Sequence, residues 1–185
     1  VGCKGCKRDC PTGVDMARMK IEVQHHYNAK HGLQLKDTLI SNLPRYAHIA
    51  SQWPFLMNLR NQSPLLARLA EFLTGLSAER SWPEWKKDHF FNRPHVGVSA
   101  QDILVASKPV VLFVDTFNGY FESENAWAAC DVLSAAGYQI HIASRTKQDT
   151  SGQHLCCGRT YLASGQVSKA KEHAQALLEA LLPFA

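Results

Sequence analysis

Three cysteines and a proline near the start of the chain constrain its fold more than any other feature. Cys3, Cys6 and Cys10 are separated by two and then three residues, and Pro11 follows the third cysteine directly. This spacing matches the last three cysteines of the bacterial iron–sulfur run C-x2-C-x2-C-x3-C-P, whose thiolates bind iron–sulfur clusters. The first cysteine of that run would fall one residue before Val1, and no initiator methionine is present. The sequence therefore predicts a segment of a longer electron-transfer protein that begins inside a cluster-binding motif.

Counting ligands limits what this run can bind. In proteins with two clusters, the cysteine before the proline ligates the other cluster. Cys3 and Cys6 would then serve one 4Fe–4S cluster together with two further ligands, and Cys10 would serve a second cluster. Because two ligands out of four hold a cluster poorly, we expect the isolated chain to bind no stable cluster. Two alternatives stay open: one zinc ion bound by Cys3, Cys6 and Cys10, or a C-x2-C redox pair.

A second pair of cysteines follows a predicted strand in the other half of the chain. Cys156 and Cys157 stand next to each other before Gly158, and the run 115–118 (Asp-Thr-Phe-Asn) leaves an earlier predicted strand. The carboxyl ends of parallel strands share one edge of a sheet, where ligands bind in α/β folds. We therefore expect the two loops to face each other, with Cys156 and Cys157 as cluster ligands or redox thiols. The alternatives are packed small residues or a disulfide between the two neighbours.

Hydrophobic periodicity predicts that residues 1–80 are helical apart from the cysteine loop. Asp15 and Ser63 stand where helix N-caps are expected, and Gly32 and Gly75 stand where helices should end. The N-terminal part of the chain is therefore predicted to be a partial, all-helical module.

A composition change separates this helical part from a small α/β part. Residues 81–109 contain three prolines and no sustained period, which predicts an extended linker anchored by buried aromatic rings. Strand, helix, strand and helix over residues 110–185 predict a truncated βαβα unit with a parallel sheet. The predicted fold class of the whole chain is α+β. The expected anchoring rings are those of Trp82, Trp85, Phe90 and Phe91.

Composition excludes two classes of function. The 185 residues are 45% hydrophobic and 19% charged, with a formal charge of +4, and the basic residues are spread along the chain. This distribution argues against nucleic-acid binding. No apolar run reaches the roughly 20 residues that span a bilayer, so we predict no transmembrane segment. Clustered cysteines are typical of a reducing compartment, so we expect a cytoplasmic location, with attachment to the inner membrane face as an alternative.

One further cysteine and three histidines have simpler interpretations than ligation. Cys130 falls on a predicted core face of a helix, where an inert buried thiol is expected. His25 and His26 lie within a helix without a third ligand at metal spacing. His154 precedes Cys156 closely enough to join a metal site, although an ordinary loop histidine is the simpler interpretation.

The two cysteine motifs together resemble one family. These are the iron–sulfur oxidoreductases that combine a ferredoxin-type double-cluster module with a cysteine-rich CCG domain. The run Cys3–Ala17 is similar to their second 4Fe–4S cluster motif, and the runs Asp115–Phe121 and Cys156–Arg159 are similar to their CCG domain. The resemblance covers nearly the whole chain and is closest to large bacterial fusion flavoproteins of the D-lactate and D-2-hydroxyglutarate dehydrogenase type. Related members include the iron–sulfur subunits of glycolate oxidase and of anaerobic glycerol-3-phosphate dehydrogenase.

The resemblance implies that electrons leave a 2-hydroxy acid at FAD, pass two 4Fe–4S clusters and reach a quinone or another acceptor. This chain would then be the relay, joined to an upstream FAD domain and a first cluster motif, and would not be catalytic alone. Two departures limit the likeness: Thr116 stands where heterodisulfide-reductase-type CCG domains have a cysteine, and no cysteine follows Cys157. The other interpretations are a zinc-binding or interaction fragment and a thiol–disulfide redox module acting through Cys156 and Cys157.

Overall fold

The computed structural model describes residues 5–93, 108–144 and 154–184. Within these ranges the chain is mostly helical and has one small parallel sheet, so the predicted α+β class is confirmed at this level. The first range begins with six helices: α1 (Gly5–Arg8), α2 (Met16–His31), α3 (Leu35–Ser41), α4 (Leu43–Ala50), α5 (Pro54–Gln62) and α6 (Pro64–Thr74).

The predicted helix ends are confirmed by the cap geometry. The Asp15 side chain accepts a hydrogen bond from the Arg18 backbone N–H at 3.0 Å and starts α2. The Ser63 side chain accepts a bond from a backbone N–H in the first turn of α6. Gly75 ends α6 with a φ of 74°, in the left-handed region that glycine adopts without strain.

After α6 the chain runs across the molecule as an extended segment, which we call the strap (residues 82–93). Trp85 packs with Ala47 and Phe121 in one hydrophobic cluster, and Phe90, with 0% of its surface exposed, joins a second cluster with Val114. A 3-10 turn, Phe90–Asn92, closes the strap. Anchoring of the predicted linker by buried rings is therefore confirmed at Trp85 and Phe90, whereas Trp82 and Phe91 are half-buried. Residues 94–107 lie outside the described residues.

The second and third ranges contain the parallel sheet and the helices around it, which we call the α/β unit. The strands β1 (Pro109–Leu112) and β2 (Gln139–Ile142) pair in parallel, with Val110 opposite Ile140. Two helices connect the strands. The first, Thr116–Tyr120, was not predicted; it begins four residues after the end of β1. The remaining elements are α7 (Thr116–Tyr120), α8 (Ser123–Ala135), α9 (Arg159–Ala163), α10 (Val167–Leu181) and a 3-10 turn (Leu182–Phe184).

Hydrogen bonds join the N-terminal helices to the α/β unit. The fully buried Tyr161 donates its hydroxyl to the side-chain oxygen of Asn42 at 3.1 Å. The side chain of Gln166 donates to the Ser41 hydroxyl at 2.7 Å, and the side chain of Asn28 donates to the Ser164 carbonyl at 2.7 Å. These bonds place α3 beside α9, which brings both parts of the chain to one cavity.

Candidate functional site

A cavity of about 650 Å³ lies at the carboxyl edge of the parallel strands. Its walls come from the segment after β1, from Cys156 and Cys157, from α9 and from α3. This confirms the expectation that the two loops at the sheet edge face each other. The contribution of α3, through Asp37 and Ile40, was not predicted, because nothing local in the sequence indicates contact with a strand edge so far along the chain.

The segment after β1 is held rigidly by Asp115. Its carboxylate accepts hydrogen bonds from the backbone N–H groups of Phe117 at 2.8 Å and Asn118 at 3.4 Å. The other carboxylate oxygen accepts a bond from the Asn118 side chain at 2.6 Å. Asp115 therefore acts as the N-cap of α7 and places Thr116, which is buried, at the cavity wall.

Gly158 fixes the position of the two cysteines before it. Its φ is 79°, and a Cβ built on it would lie 2.6 Å from the carbonyl oxygen of Ala170 in α10. Both the backbone conformation and the close helix contact therefore require glycine here. The Cys-Cys-Gly order thus has a physical basis: the glycine permits the turn that presents both thiols to the cavity.

The two thiols have different surroundings. Cys156 is 5% exposed, and burial raises the pKa of its thiol, against the smaller effects of hydrogen bonds from the Gly158 backbone and the Thr116 side chain. Cys157 is exposed, and both cysteines are free thiols. The Thr116 side chain therefore makes a hydrogen bond to the Cys156 sulfur.

The N-terminal motif lies on and just after α1. Cys6 is exposed on α1, Cys10 is half-buried in the following turn, and Cys3 lies outside the described residues. The Cys10 sulfur is 3.2 Å from the Thr12 hydroxyl oxygen. This hydrogen bond, followed by bonds from the backbone at Val14, Thr12 and Gly13, lowers the pKa of the Cys10 thiol. The turn before α2 therefore favours a thiolate at Cys10.

The thiols of both cysteine sites are the ligand type that iron–sulfur clusters require. Hydrogen bonds reach the sulfur atoms of Cys10 and Cys156, and in clusters such bonds tune the reduction potential. Across residues 5–93, 108–144 and 154–184, however, no group of three histidine, cysteine or acidic side chains is placed to hold a metal ion. Of the five described cysteines, four fall into two pairs along the sequence, Cys6 with Cys10 and Cys156 with Cys157. Each pair would need further ligands to complete a cluster site.

The remaining candidates lie elsewhere. Cys130 is half-buried beside the Phe90 cluster, and burial raises the pKa of its thiol, with the Asp131 charge adding to the effect. The His154 ring stacks on Phe91 with a centroid distance of 3.6 Å. One ring nitrogen of His25 lies 2.9 Å from the Gly165 carbonyl oxygen, between α2 and the α9–α10 turn.

Comparison with known proteins finds no family model, no curated protein and no solved structure that matches the chain. Among the described helices, none has both the length and the apolar character needed to cross a bilayer.

Proposed function

We propose that this chain is an iron–sulfur electron-transfer segment of a flavin-dependent 2-hydroxy-acid dehydrogenase. The observation that carries the proposal is that Asp115, Thr116 and Phe117 line one cavity with Cys156 and Cys157. These residues belong to the two runs on which the likeness to the CCG domain rests, and they are far apart in sequence. Parallel pairing of β1 and β2 brings both runs to one sheet edge, and their shared cavity there supports a shared role.

The N-terminal motif would supply the ligands of the relay. Cys3, Cys6 and Cys10 would ligate 4Fe–4S clusters, which carry single electrons between a donor and an acceptor when bound. Hydrogen bonds from the backbone around Cys10 would stabilise negative charge on its sulfur. FAD would lie in an upstream domain of the parent protein, where the 2-hydroxy acid is oxidised, and a quinone or another acceptor would receive the electrons.

The C-terminal pair would be a second ligand set. Because burial raises the pKa of Cys156, this thiol must lose a proton when it binds a metal, and metal affinity at the pair should rise with pH. The exposed Cys157 lines the same cavity as the cation of Arg159 and the carboxylates of Asp37 and Asp115. The Asp115 charge adds to the effect of burial on the pKa of Cys156.

A second candidate function is a thiol–disulfide redox module. One observation favours it: an exposed thiol, Cys157, is adjacent to a buried one, Cys156, within a cavity. Attack on a disulfide would begin at the accessible Cys157, since burial keeps Cys156 protonated. A zinc-binding or interaction fragment is the remaining alternative.

Metal analysis distinguishes these functions. We expect the full-length protein, prepared anaerobically, to be brown and to contain about eight iron atoms, the content of two 4Fe–4S clusters. Cys10→Ser should lower the iron content, whereas Cys130→Ser, a cysteine outside both sites, should leave it unchanged. A colourless protein that contains zinc would contradict the proposal. If Cys156→Ala and Cys157→Ala both leave substrate-to-quinone turnover intact, the C-terminal pair has no place in the relay.

A further inference from the structure

A second cavity, of about 500 Å³, lies between α3, α4, α5, α7 and the strap. We call it the aromatic cavity, because side-chain rings make up much of its wall. None of the described residues that line it carries a charge. The rings are those of Tyr46, Trp82, Trp85, Phe117 and Phe121.

The strap side of this cavity is held in place by two asparagines of α5. Asn58 accepts a hydrogen bond from the Trp85 backbone N–H at 2.9 Å and donates its amide to the Trp85 carbonyl at 2.8 Å. Asn61 makes the same pair of bonds with Trp82, at 2.9 and 2.8 Å. The two asparagines are three residues apart and so lie on one helix face, matched to two tryptophans three residues apart. Four hydrogen bonds therefore fix the backbone from which both indoles extend.

The guanidinium of Arg60 packs against the Trp82 ring. The guanidinium carbon of Arg60 lies 4.5 Å from the centroid of a Trp82 ring. Arg60 is itself buried and donates hydrogen bonds to the carbonyls of Ser77 at 2.6 Å and Arg80 at 2.7 Å. These backbone bonds hold the guanidinium against the Trp82 ring.

The hydroxyl group of the wall already has a hydrogen-bond partner. The Tyr46 hydroxyl donates to the Leu39 carbonyl at 3.1 Å, and burial raises the pKa of this phenol, so it stays neutral. The Trp85 ring meets Phe121 edge-on with a centroid distance of 4.7 Å. A negatively charged ligand would therefore lose its hydration without finding a partner. A flat uncharged ring, in contrast, would find ring faces and edges for offset or edge-to-face contact.

We propose that the aromatic cavity is a binding site for an uncharged planar ring compound. Its volume falls in the range of about 300–1,000 Å³ that is typical of small-molecule sites. Ile40 and Phe117 line both this cavity and the one that holds Cys156 and Cys157, so a bound ring would lie next to the cysteine site.

This position suggests which ring compound to test, in a step that rests on the proposed function. A quinone is uncharged and planar, and two electrons with two protons convert it to the quinol. The electrons would come from the relay and the protons from water. Binding itself requires neither electrons nor metal, so it can be measured on the chain without iron.

Nuclear magnetic resonance of the four tryptophan indole N–H groups tests the site. The probe is duroquinone, whose ring is fully substituted and therefore adds poorly to exposed thiols. We expect the Trp82 and Trp85 signals to shift and saturate, while those of Trp53 and Trp127, which do not line the cavity, stay in place. Mesitylenesulfonate, a methylated ring with a negative charge, should produce no saturable shift. Equal, unsaturated shifts of all four indoles, or equal binding of the sulfonate, would overturn the inference.

Cavity filling provides the matched variants. Leu76→Phe adds volume inside the cavity and should weaken duroquinone binding at least tenfold, whereas Leu56→Phe, at an exposed site on α5, should leave it unchanged. If Leu76→Phe disturbs the Trp53 and Trp127 signals, Leu39→Phe fills the same cavity from α3. Unchanged affinity in a folded filled variant would refute the site. Because the binding test involves no iron, a failure to bind duroquinone would not change the result of the metal analysis. A failure of the metal analysis would likewise not change the result of the binding test.

Discussion

Gly158 shows how a single residue position determines the geometry of the cysteine site. At this position a left-handed backbone and a close approach to Ala170 coincide. We predict that Gly158→Ala lowers the free energy of unfolding by about 3 kcal/mol, from the left-handed backbone and the steric overlap together. Gly137→Ala is the matched control, since Gly137 has the same φ of 79° but no atom within 4 Å of the added methyl. It should cost only about 1 kcal/mol. Equal losses in urea unfolding would show that the contact with α10 is unimportant.

His89 connects stability to pH. Burial lowers the pKa of this histidine, and the nearby Asp88 charge opposes the shift more weakly. The unfolded chain therefore takes up a proton at higher pH than the folded chain. His89 thus supports folding above about pH 6.5, the ordinary histidine pKa, and this support is lost as the pH falls below that value.

The pH dependence can be measured by urea unfolding between about pH 7 and pH 5. We expect His89→Gln to reduce the loss of stability over this interval, because the titrating group is gone. His26→Gln, at an exposed position of α2, should show the wild-type loss. An unchanged pH dependence in His89→Gln would mean that another group governs this interval.

At the scale of elements, the strap is held by the paired hydrogen bonds of Asn58 and Asn61 to its backbone. Asn58→Asp keeps an acceptor for the Trp85 N–H but replaces the amide donor with a negative oxygen facing the Trp85 carbonyl. We predict a loss of about 2 kcal/mol in the free energy of unfolding, from one lost bond and one unsatisfied carbonyl. Gln62→Glu introduces the same charge at an exposed position of α5 and should change stability little. Equal effects of the two variants would argue that the added charge alone, and not the lost hydrogen bond to the Trp85 carbonyl, causes the loss of stability.

The elements themselves could largely be predicted from the sequence, because their signals are local. Helix caps act within one turn of their helices, so the sequence indicates them directly. These caps are Asp15 and Ser63 at N-termini and Gly32 and Gly75 at C-termini. α7 was missed because five residues are too few to establish a helical period. Its cap at Asp115 was the one available signal.

Periodicity also left open which helix faces would be buried. The apolar positions of α2 recur at helical spacing, yet they are 48–69% exposed, and the helix contacts the α9–α10 turn through His25 and Asn28 instead. In α6, Phe72 is 86% exposed despite the strong apolar pattern. An apolar stripe predicts a helix, but the surface that covers it depends on contacts distant in sequence. The exposed positions of α2 are Met16, Met19, Val23 and Tyr27.

At the scale of the whole molecule, polar contacts unite the helical and α/β parts. Tyr161 and Gln166 bind Asn42 and Ser41 across their boundary. We therefore expect one cooperative unfolding transition, with coincident curves from tryptophan fluorescence and from circular dichroism. Tyr161→Phe should lower stability by about 1 kcal/mol through the lost bond to Asn42. Two separated transitions in the wild-type protein would show that the parts fold independently.

Only part of the candidate site, the pair of sheet-edge loops, could be predicted from the sequence. The meeting of the two sheet-edge loops follows from parallel pairing, which the sequence indicates. The α3 wall and the aromatic cavity do not follow from it, because they depend on how α3 and the strap pack against α7. No local pattern records such packing.

Low-temperature electron paramagnetic resonance tests the central claim most directly. The full-length protein, prepared anaerobically and reduced with dithionite, should give the signal of reduced 4Fe–4S clusters, and the 2-hydroxy-acid substrate should produce the same signal through FAD. Cys10→Ser should alter this signal and Cys130→Ser should not. A reduced protein that gives no such signal and contains zinc or no metal would contradict the assignment of this chain as an electron relay.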